Sequence, residues 1–268
     1  MCARRSAARP NWCGCPMGAE LDPFARLRSL TRARIGLTRA GDAMGSRDLL
    51  AFQLACAQAR DAVHTPLNLD ALSVALPLDA IRVRSLAPDR ATYLRRPDLG
   101  RQLDPADRAK LTPGAFDLAL VLGDGLSSVA LQRHGPPLVA AILPLVSHLK
   151  LAPLIIAEQA RVAIGDDIGQ ALAAKLTAVV LGERPGLSSA DSLGVYLTYA
   201  PQQGRKDAER NCISNIHAHG QSYDDAARKL AWLVDQALSR GLTGIGLKDD
   251  QDALTPATPS VQLDREAP

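Results

Sequence analysis

From residue 116 onward the chain alternates continuous apolar runs with stretches of helical period. "FDLALVLGDGLSS" (116–128) reads as a buried strand ending in a Gly-Asp-Gly turn, followed by a helix through about His134. "PLIIAEQARVAIGDDIGQALAAKL" (153–176) repeats strand, short loop and helix, and "LTAVVLGERPG" (176–186) is a third buried strand with its loop. "LGVYLTYA" (193–200) is a candidate fourth, and "LTGIGLKD" (242–249) a last one. Between them "SYDDAARKLAWLVDQALSRG" (222–241) is a long helix, with Ser222 and Asp225 placed as a capping box and Gly241 as its stop.

Upstream the pattern is different. Residues 22–64 read as helix with a Gly-rich break. In the second part Ser46 stands where an N-cap belongs, and Leu49, Phe52, Cys56, Ala59 and Val63 form one helical stripe. Cys56 is therefore expected to pack, and His64 to close the helix. Residues 66–110, rich in proline and charge, read as linker with short elements; residues 1–20 and 250–268 read as disordered tails.

Apolar runs separated by helices imply an α/β fold, a mainly parallel sheet with helices on both faces, preceded by a helical N-terminal arm. Ligands of such sheets sit at the carboxyl ends of the strands. Three of those ends, Gly123-Asp124-Gly125, Glu158–Val162 and Gly182–Ser189, are expected to converge on one rim.

Composition narrows the partners. The net charge of +3 is uneven: residues 1–110 hold 18 Lys/Arg against 11 Asp/Glu, and the remainder 13 against 17. The arginines are interleaved with Ala and Leu, and aromatics make up only 3%. A partner protein or a solvated face thus fits better than nucleic acid, which favours aromatic platforms. Five cysteines without a regular framework argue for a reducing compartment, and "CGC" at 13–15 has no second ligand pair for zinc. No apolar stretch of 18 residues is present, and the Arg-rich start lacks the apolar core of a secretory signal.

Direct chemistry is weakly declared. Gly123-Asp124-Gly125-Leu126-Ser127-Ser128 lacks the third glycine of a dinucleotide loop and the lysine of a P-loop, so a tight strand-to-helix turn is the plainer reading. Cys212, with His217 and His219 nearby, is a candidate nucleophile with no acidic orienter. H-E-x-x-H, Cys-x-x-Cys and Gly-x-Ser-x-Gly strings are missing. The residues alone define an α/β binding domain with a stiff, polar rim.

Several segments carry a resemblance. "GERPGLSSADSLGVYLTYAP" (182–201), "DAERNCISNI" (207–216), "LALVLGDGLSS" (118–128), "QARVAIGDDIG" (159–169), "TRARIGLTRAG" (31–41) and "LAFQLACAQARDAVHTPL" (50–67) resemble the small subunit of ethanolamine ammonia-lyase. The match runs in order from about residue 22 to 249. It implies a Rossmann-like cobalamin-binding domain over 111–249, and a helical arm and linker over 21–110 that dock a large subunit. It further implies an adenosylcobalamin cofactor contacted by Val162, Glu183 and Cys212, with no catalytic or metal-ligating residue on this chain. Ethanolamine would be bound mainly by the large subunit, in a cytoplasmic assembly of several heterodimers. No nucleic acid or membrane is implied, and packaging into a bacterial microcompartment stays open.

The Asp-x-His-x-x-Gly string that replaces the cofactor's lower base in some cobalamin enzymes does not occur, so the resemblance implies a base-on cofactor. One departure is Cys56, where the family leads one to expect histidine. A nucleotide-binding or regulatory α/β domain without lyase activity is the alternative from another class. A self-sufficient thiol enzyme using Cys212 is a second.

Overall fold

A computed structural model describes residues 23–248 apart from residue 32. The expected tails, and the Cys13-Gly-Cys15 string, lie outside the described residues. The chain divides into two units, one ending at Ala51 and one beginning at Phe52. In the first, α1 (Ala25–Leu30) precedes a hairpin of β1 (Arg39–Ala40) and β2 (Ala43–Met44), after which α2 (Ser46–His64) begins. The Gly-rich break is thus a hairpin, its turn built on Gly41 at φ +62°. Its base is tied to α2, because the Thr38 amide and hydroxyl both donate to the Asp48 carboxylate, at 2.9 and 2.6 Å.

The second unit continues α2 and adds α3 (Leu69–Ala75), β3 (Ala80–Arg84), α4 (Arg90–Arg95) and α5 (Pro105–Arg108). Then come β4 (Leu118–Gly123), α6 (Ser128–Leu145), β5 (Leu154–Glu158), α7 (Ile164–Leu172) and β6 (Leu176–Gly182). The chain closes with β7 (Leu193–Tyr199), β8 (Arg210–Ile216) and α8 (Tyr223–Arg240). The six strands lie in the order β3-β5-β4-β6-β7-β8. Pairing is parallel from β3 to β6 and antiparallel from β6 to β8, so the sheet is mixed: β7 alone runs against the other five strands. The reason lies in the connection: residues 183–192 are too few for a helical crossover and can only return the chain antiparallel.

The continuous apolar runs serve two faces at once. Leu118, Leu120 and Leu122 of β4 enter one core with Leu131, Leu138 and Ile142 of α6 and Leu230 and Val234 of α8. Ala119 and Val121 point the other way, toward Ile164, Ile168 and Leu172 of α7. Strands β5 and β6 alternate likewise, which is the period-2 geometry of a strand buried on both sides.

Four expectations change. Helix α6 runs to Leu145 through Pro136, Pro137 and Pro144 instead of stopping near His134. Interior prolines each cost on the order of 3 kcal/mol, but Leu138, Val139 and Ile142, all fully buried, lie beyond the first pair and hold the helix together. Residues 242–249 form no strand among the described residues. Gly244, at φ +80°, opens a 3-10 turn, and the Asn211 side chain accepts from its amide at 2.8 Å and donates to the Leu247 carbonyl at 2.7 Å. Ser46 is the first helical residue, one position past the expected cap. Finally, α2 buries Ala55 and Ala62, while Leu49, Phe52 and Cys56 of the expected stripe are exposed.

The terminal helix follows its sequence. Ser222 Oγ accepts the Asp225 amide at 3.1 Å, its hydroxyl donates to the Asp225 carboxylate at 2.6 Å, and Gly241 closes the helix at φ +70°.

A Cβ on Gly182 would overlap the Ser127 carbonyl and come within 2.6 Å of the Asp124 carbonyl, both backbone atoms that cannot step aside. Gly186, four residues on, has only the Ser189 carbonyl nearby, at 3.4 Å. Gly182→Ala is therefore expected to cost about 1–3 kcal/mol in urea denaturation and Gly186→Ala less than about 0.5. Equal costs would refute the close approach.

Candidate functional site

The sheet order decides where a ligand can enter. From β4 the chain passes through α6 to β5 on one side, then through α7 to β6 on the other. Beyond the carboxyl ends of β4 and β6 the two crossovers part, and a crevice opens at that switch point. Here the backbones nearly touch: the Leu126 amide donates to the Gly182 carbonyl at 2.9 Å, and a Cβ on Gly125 would overlap that same oxygen. The Gly-Asp-Gly turn is thus a packing device, as its plainer reading has it.

Beside it lies a cavity of about 790 Å³, lined by residues from all three expected strand ends and from two segments the sequence did not mark. Leu126 comes from the β4 turn, Arg161 and Val162 from the loop after β5, and Glu183 and Arg184 from the loop after β6. Tyr93, Pro97 and Arg101 contribute from 93–101, and Arg205, Lys206 and Asp207 from the loop before β8. Tyr196 of β7 completes the wall.

The loop after β6 is stiff because its polar residues are engaged. Glu183 accepts the Ser192 hydroxyl at 2.6 Å, and its amide donates to the Ser192 carbonyl at 2.9 Å. The Gly186 amide donates to the Ser189 carbonyl at 2.8 Å, and Ser127 Oγ donates to the Ala190 carbonyl at 3.1 Å. Asp191 pairs with Arg133 and lies 3.3 Å from Nε2 of buried His134, whose Nδ1 is 2.8 Å from the Tyr223 hydroxyl.

Val162 and Glu183 both face the cavity, as expected. Cys212 does not line it directly. It sits exposed on the edge strand β8 opposite Tyr196, whose hydroxyl favours its thiolate, and so stands beside the cavity wall. Burial pushes the Cys212 thiol up from its ordinary value, and the Glu183 charge adds to that against the Tyr196 hydrogen bond. The net shift runs against the lowered value that a catalytic thiol requires, although the residue is exposed.

Cations dominate the wall. Arg101, Arg161, Arg184, Arg205 and Lys206 face only Glu183 and Asp207. Arg205 is paired with Glu209 at 2.5 Å. Its segment is anchored by Arg210, buried, which holds Asp166 of α7 through two bonds of 2.8 and 2.7 Å and donates to the Arg205 carbonyl at 3.0 Å. Tyr93, fully buried, donates to the Ala160 carbonyl at 2.9 Å, and its ring centroid lies 4.9 Å from the Arg90 guanidinium and 4.5 Å from that of Arg161. Sequence reasoning gave no role to Tyr93, Arg161 or Tyr196: Arg161 lies inside the expected strand end 158–162 and Tyr196 inside the candidate strand 193–200, while Tyr93 falls in the segment read as linker.

Among the described residues no three His, Cys, Asp or Glu side chains are grouped to hold a metal ion, and no helix is long and apolar enough to cross a membrane. The arrangement can grip a large ligand that carries hydrogen-bonding groups and negative charge. It defines an α/β binding subunit with a cationic cavity at the switch point of a mixed sheet.

Relatives give that class a family. Residues 21–248 match the family model described as "Ethanolamine ammonia-lyase light chain (EutC)". The chain is similar to "Ethanolamine ammonia-lyase small subunit" of Azotobacter vinelandii, 49% identical over 87% of this chain and 91% of the relative. The protein of the same name from Bradyrhizobium diazoefficiens is 48% identical over 85% and 91%, and that from Pseudomonas aeruginosa 45% over 94% of each. The chain belongs to the ethanolamine ammonia-lyase light-chain family.

One buried group beside the cavity yields a pH signature. The Asp124 carboxyl is pushed up to about 6, chiefly by burial, with Arg90 at 3.1 Å and the Ala160 amide opposing. A raised folded-state value means that the folded chain holds the proton more tightly than the unfolded one. The stability this group contributes is thus complete below about pH 4 and is lost as pH rises through about 6. The stability advantage of wild type over Asp124→Asn is expected to fall by on the order of 2 kcal/mol between pH 4 and 7, read by urea denaturation. A difference constant with pH would refute the assignment.

Proposed function

We propose that this chain is the small subunit of an adenosylcobalamin-dependent ethanolamine ammonia-lyase, which converts ethanolamine to acetaldehyde and ammonia. The observation that carries this reading is the meeting of Val162 and Glu183 on one cavity, with Cys212 beside its Tyr196 wall. The resemblance in sequence assigns the same three positions to the cofactor.

The residues present fit the cofactor. A corrin is rimmed with neutral amide side chains, which want both donors and acceptors. Glu183, already oriented by Ser192, offers acceptor capacity to an amide N–H, and Arg184 and Lys206 offer donors to amide carbonyls. One buried polar atom of the lining, Arg161 Nε, has no partner, as at a site completed by a ligand. Val162 supplies a flat apolar contact. When bound, the cofactor supplies radical rearrangement chemistry through its cobalt–carbon bond. This chain's residues orient and shield it.

A corrinoid is too large for this cavity to enclose alone, which supports a second wall from a large subunit that binds ethanolamine and carries the catalytic groups. Residues 21–110 would dock that partner, with Phe24, Leu27, Leu30, Leu49 and Leu50 exposed for it. Residues 111–249 would form a Rossmann-like cobalamin-binding domain. Several heterodimers would assemble in the cytoplasm, free or inside a microcompartment, and the cofactor would be bound base-on.

Co-expression with the large subunit, followed by cobalamin absorbance of the purified complex and an acetaldehyde assay, tests the whole reading; a complex that takes up no cobalamin refutes it. Glu183→Ala is expected to weaken cofactor affinity about 10- to 150-fold, the loss of one charge-assisted hydrogen bond, with the fold intact. Wild-type affinity would remove Glu183 from the site. Cys212→Ala is expected to keep substantial turnover at saturating cofactor. A drop of several orders of magnitude in kcat that excess cofactor does not restore would return the nucleophile reading.

A further inference from the structure

Arg161 is the best-positioned cation of the cavity and the least satisfied. Its backbone is fixed on both sides: its amide donates to the Gly100 carbonyl at 2.7 Å, and its own carbonyl accepts the Ile164 amide at 3.0 Å. Its stem is boxed in as well, since a Cβ on Gly100 would come within 2.9 Å of Arg161 Cγ and 2.8 Å of the Tyr93 ring. The guanidinium stacks on Tyr93, whose hydroxyl clamps the preceding carbonyl of Ala160. A long side chain held this firmly has already lost most of its rotamer freedom.

Yet among the described residues the Arg161 side chain makes no hydrogen bond or ion pair, and its Nε is buried without a partner. Of the neighbouring guanidiniums, Arg90 is answered by Asp124 at 3.1 Å, Arg205 by Glu209 and Arg210 by Asp166, while Arg101 and Arg184 are exposed to water. A partly buried, preorganised cation with one nitrogen sealed from water is unfavourable unless an anion completes it.

Taking the cofactor assignment above as given, we infer that Arg161 binds the phosphodiester of the cobalamin nucleotide tail. The amides rimming the corrin are neutral, and the phosphodiester is the one peripheral group with a full negative charge. Its paired oxygens suit the planar fork of a guanidinium. Arg101 stands on the same wall with no ion pair of its own among the described residues, so it adds to the positive field there. Val162, the next residue, then touches the corrin side of the same molecule.

The test uses the complex of this chain with its large subunit and two corrinoids that differ in one group, cobinamide and cobinamide phosphate. Binding is read by absorbance titration. Wild type is expected to prefer cobinamide phosphate about 10- to 100-fold, Arg161→Met to bring that ratio to near one, and Arg161→Lys, which keeps the charge, to retain part of it. The affinity of bare cobinamide should stay within about threefold in both variants. A wild-type ratio near one, or a ratio unchanged in Arg161→Met, overturns the assignment. Equal loss of both ligands in the two variants does so too, because it marks Arg161 as packing only. Wild-type uptake of intact cobalamin, measured alongside, separates these outcomes from failure of the cofactor reading itself. Should Arg161→Met not assemble, the wild-type ratio and Arg161→Lys decide.

Discussion

Everything at the rim depends on one close approach, that of the β4–α6 turn to the end of β6. Two glycines without side chains, Gly125 and Gly182, let the Leu126 amide reach the Gly182 carbonyl at 2.9 Å. Any side chain at either would separate the two strand ends. That contact sets the direction in which the chain leaves β6, and hence where Glu183 stands. The remaining loop needs only to be held: Ser192 grips the carboxylate, and Asp191 ties the far end to Arg133 and His134 of α6. Stiffness in this loop comes from its proline and glycines only in part. Most of it is hydrogen bonding to a helix that is itself part of the core.

The cationic wall follows from a second arrangement, around Tyr93. A tyrosine on a six-residue helix is unremarkable in sequence, but here it is fully buried and within 5 Å of two guanidiniums. Burying positive charge beside an aromatic face is tolerable only with compensation. Arg90 has it: besides Asp124, it donates to the carbonyls of Val63 and Gly125, at 2.8 Å each. It thereby fastens the end of α2 to the turn after β4. Arg161, on the cavity side, has no such set. The same ring thus supports one structural arginine and one that faces the cavity.

How much of this was legible in the sequence depended on the range of the interaction. Four of the six sheet strands, β4 to β7, and the helices after β4 and β5 were plain, because a strand buried on both faces has an unbroken apolar run that local reading detects. Strand β8, "RNCISNI", alternates and is partly exposed on an edge, so its polar residues resembled a loop. Strand β3, "AIRVR", is likewise a half-exposed edge strand inside a segment read as linker. Both misses are edges, where pairing with a neighbour, and not composition, defines the strand. The mixed topology turns on the reversal between β6 and β7, whose ten-residue connection leaves no room for a helical crossover. The rim itself was foreseen from strand ends, and Val162 and Glu183 with it. Tyr93 was not, nor was the part that Arg161 plays inside that rim, because their roles come from contacts such as Tyr93 to Ala160, separated by 67 positions.

The lone thiol makes the same point about range. In sequence, Cys212 with two histidines close behind invites a catalytic reading. In space it pairs across the sheet with Tyr196, and Glu183 reaches over the same strands. A nearby carboxylate and a desolvating wall both disfavour the thiolate, so the surroundings oppose the charge a nucleophile needs. His217, meanwhile, lies 3.0 Å from the Asn215 side chain, and its Nδ1 accepts the His219 amide at 3.3 Å. Both ring nitrogens are occupied within their own loop. What the cluster does provide is a firm edge to the cavity: a tyrosine paired across the sheet with the cysteine, and a carboxylate held by a serine. A surface of this kind can fix the orientation of a ligand larger than itself, which is what one wall of a shared site requires.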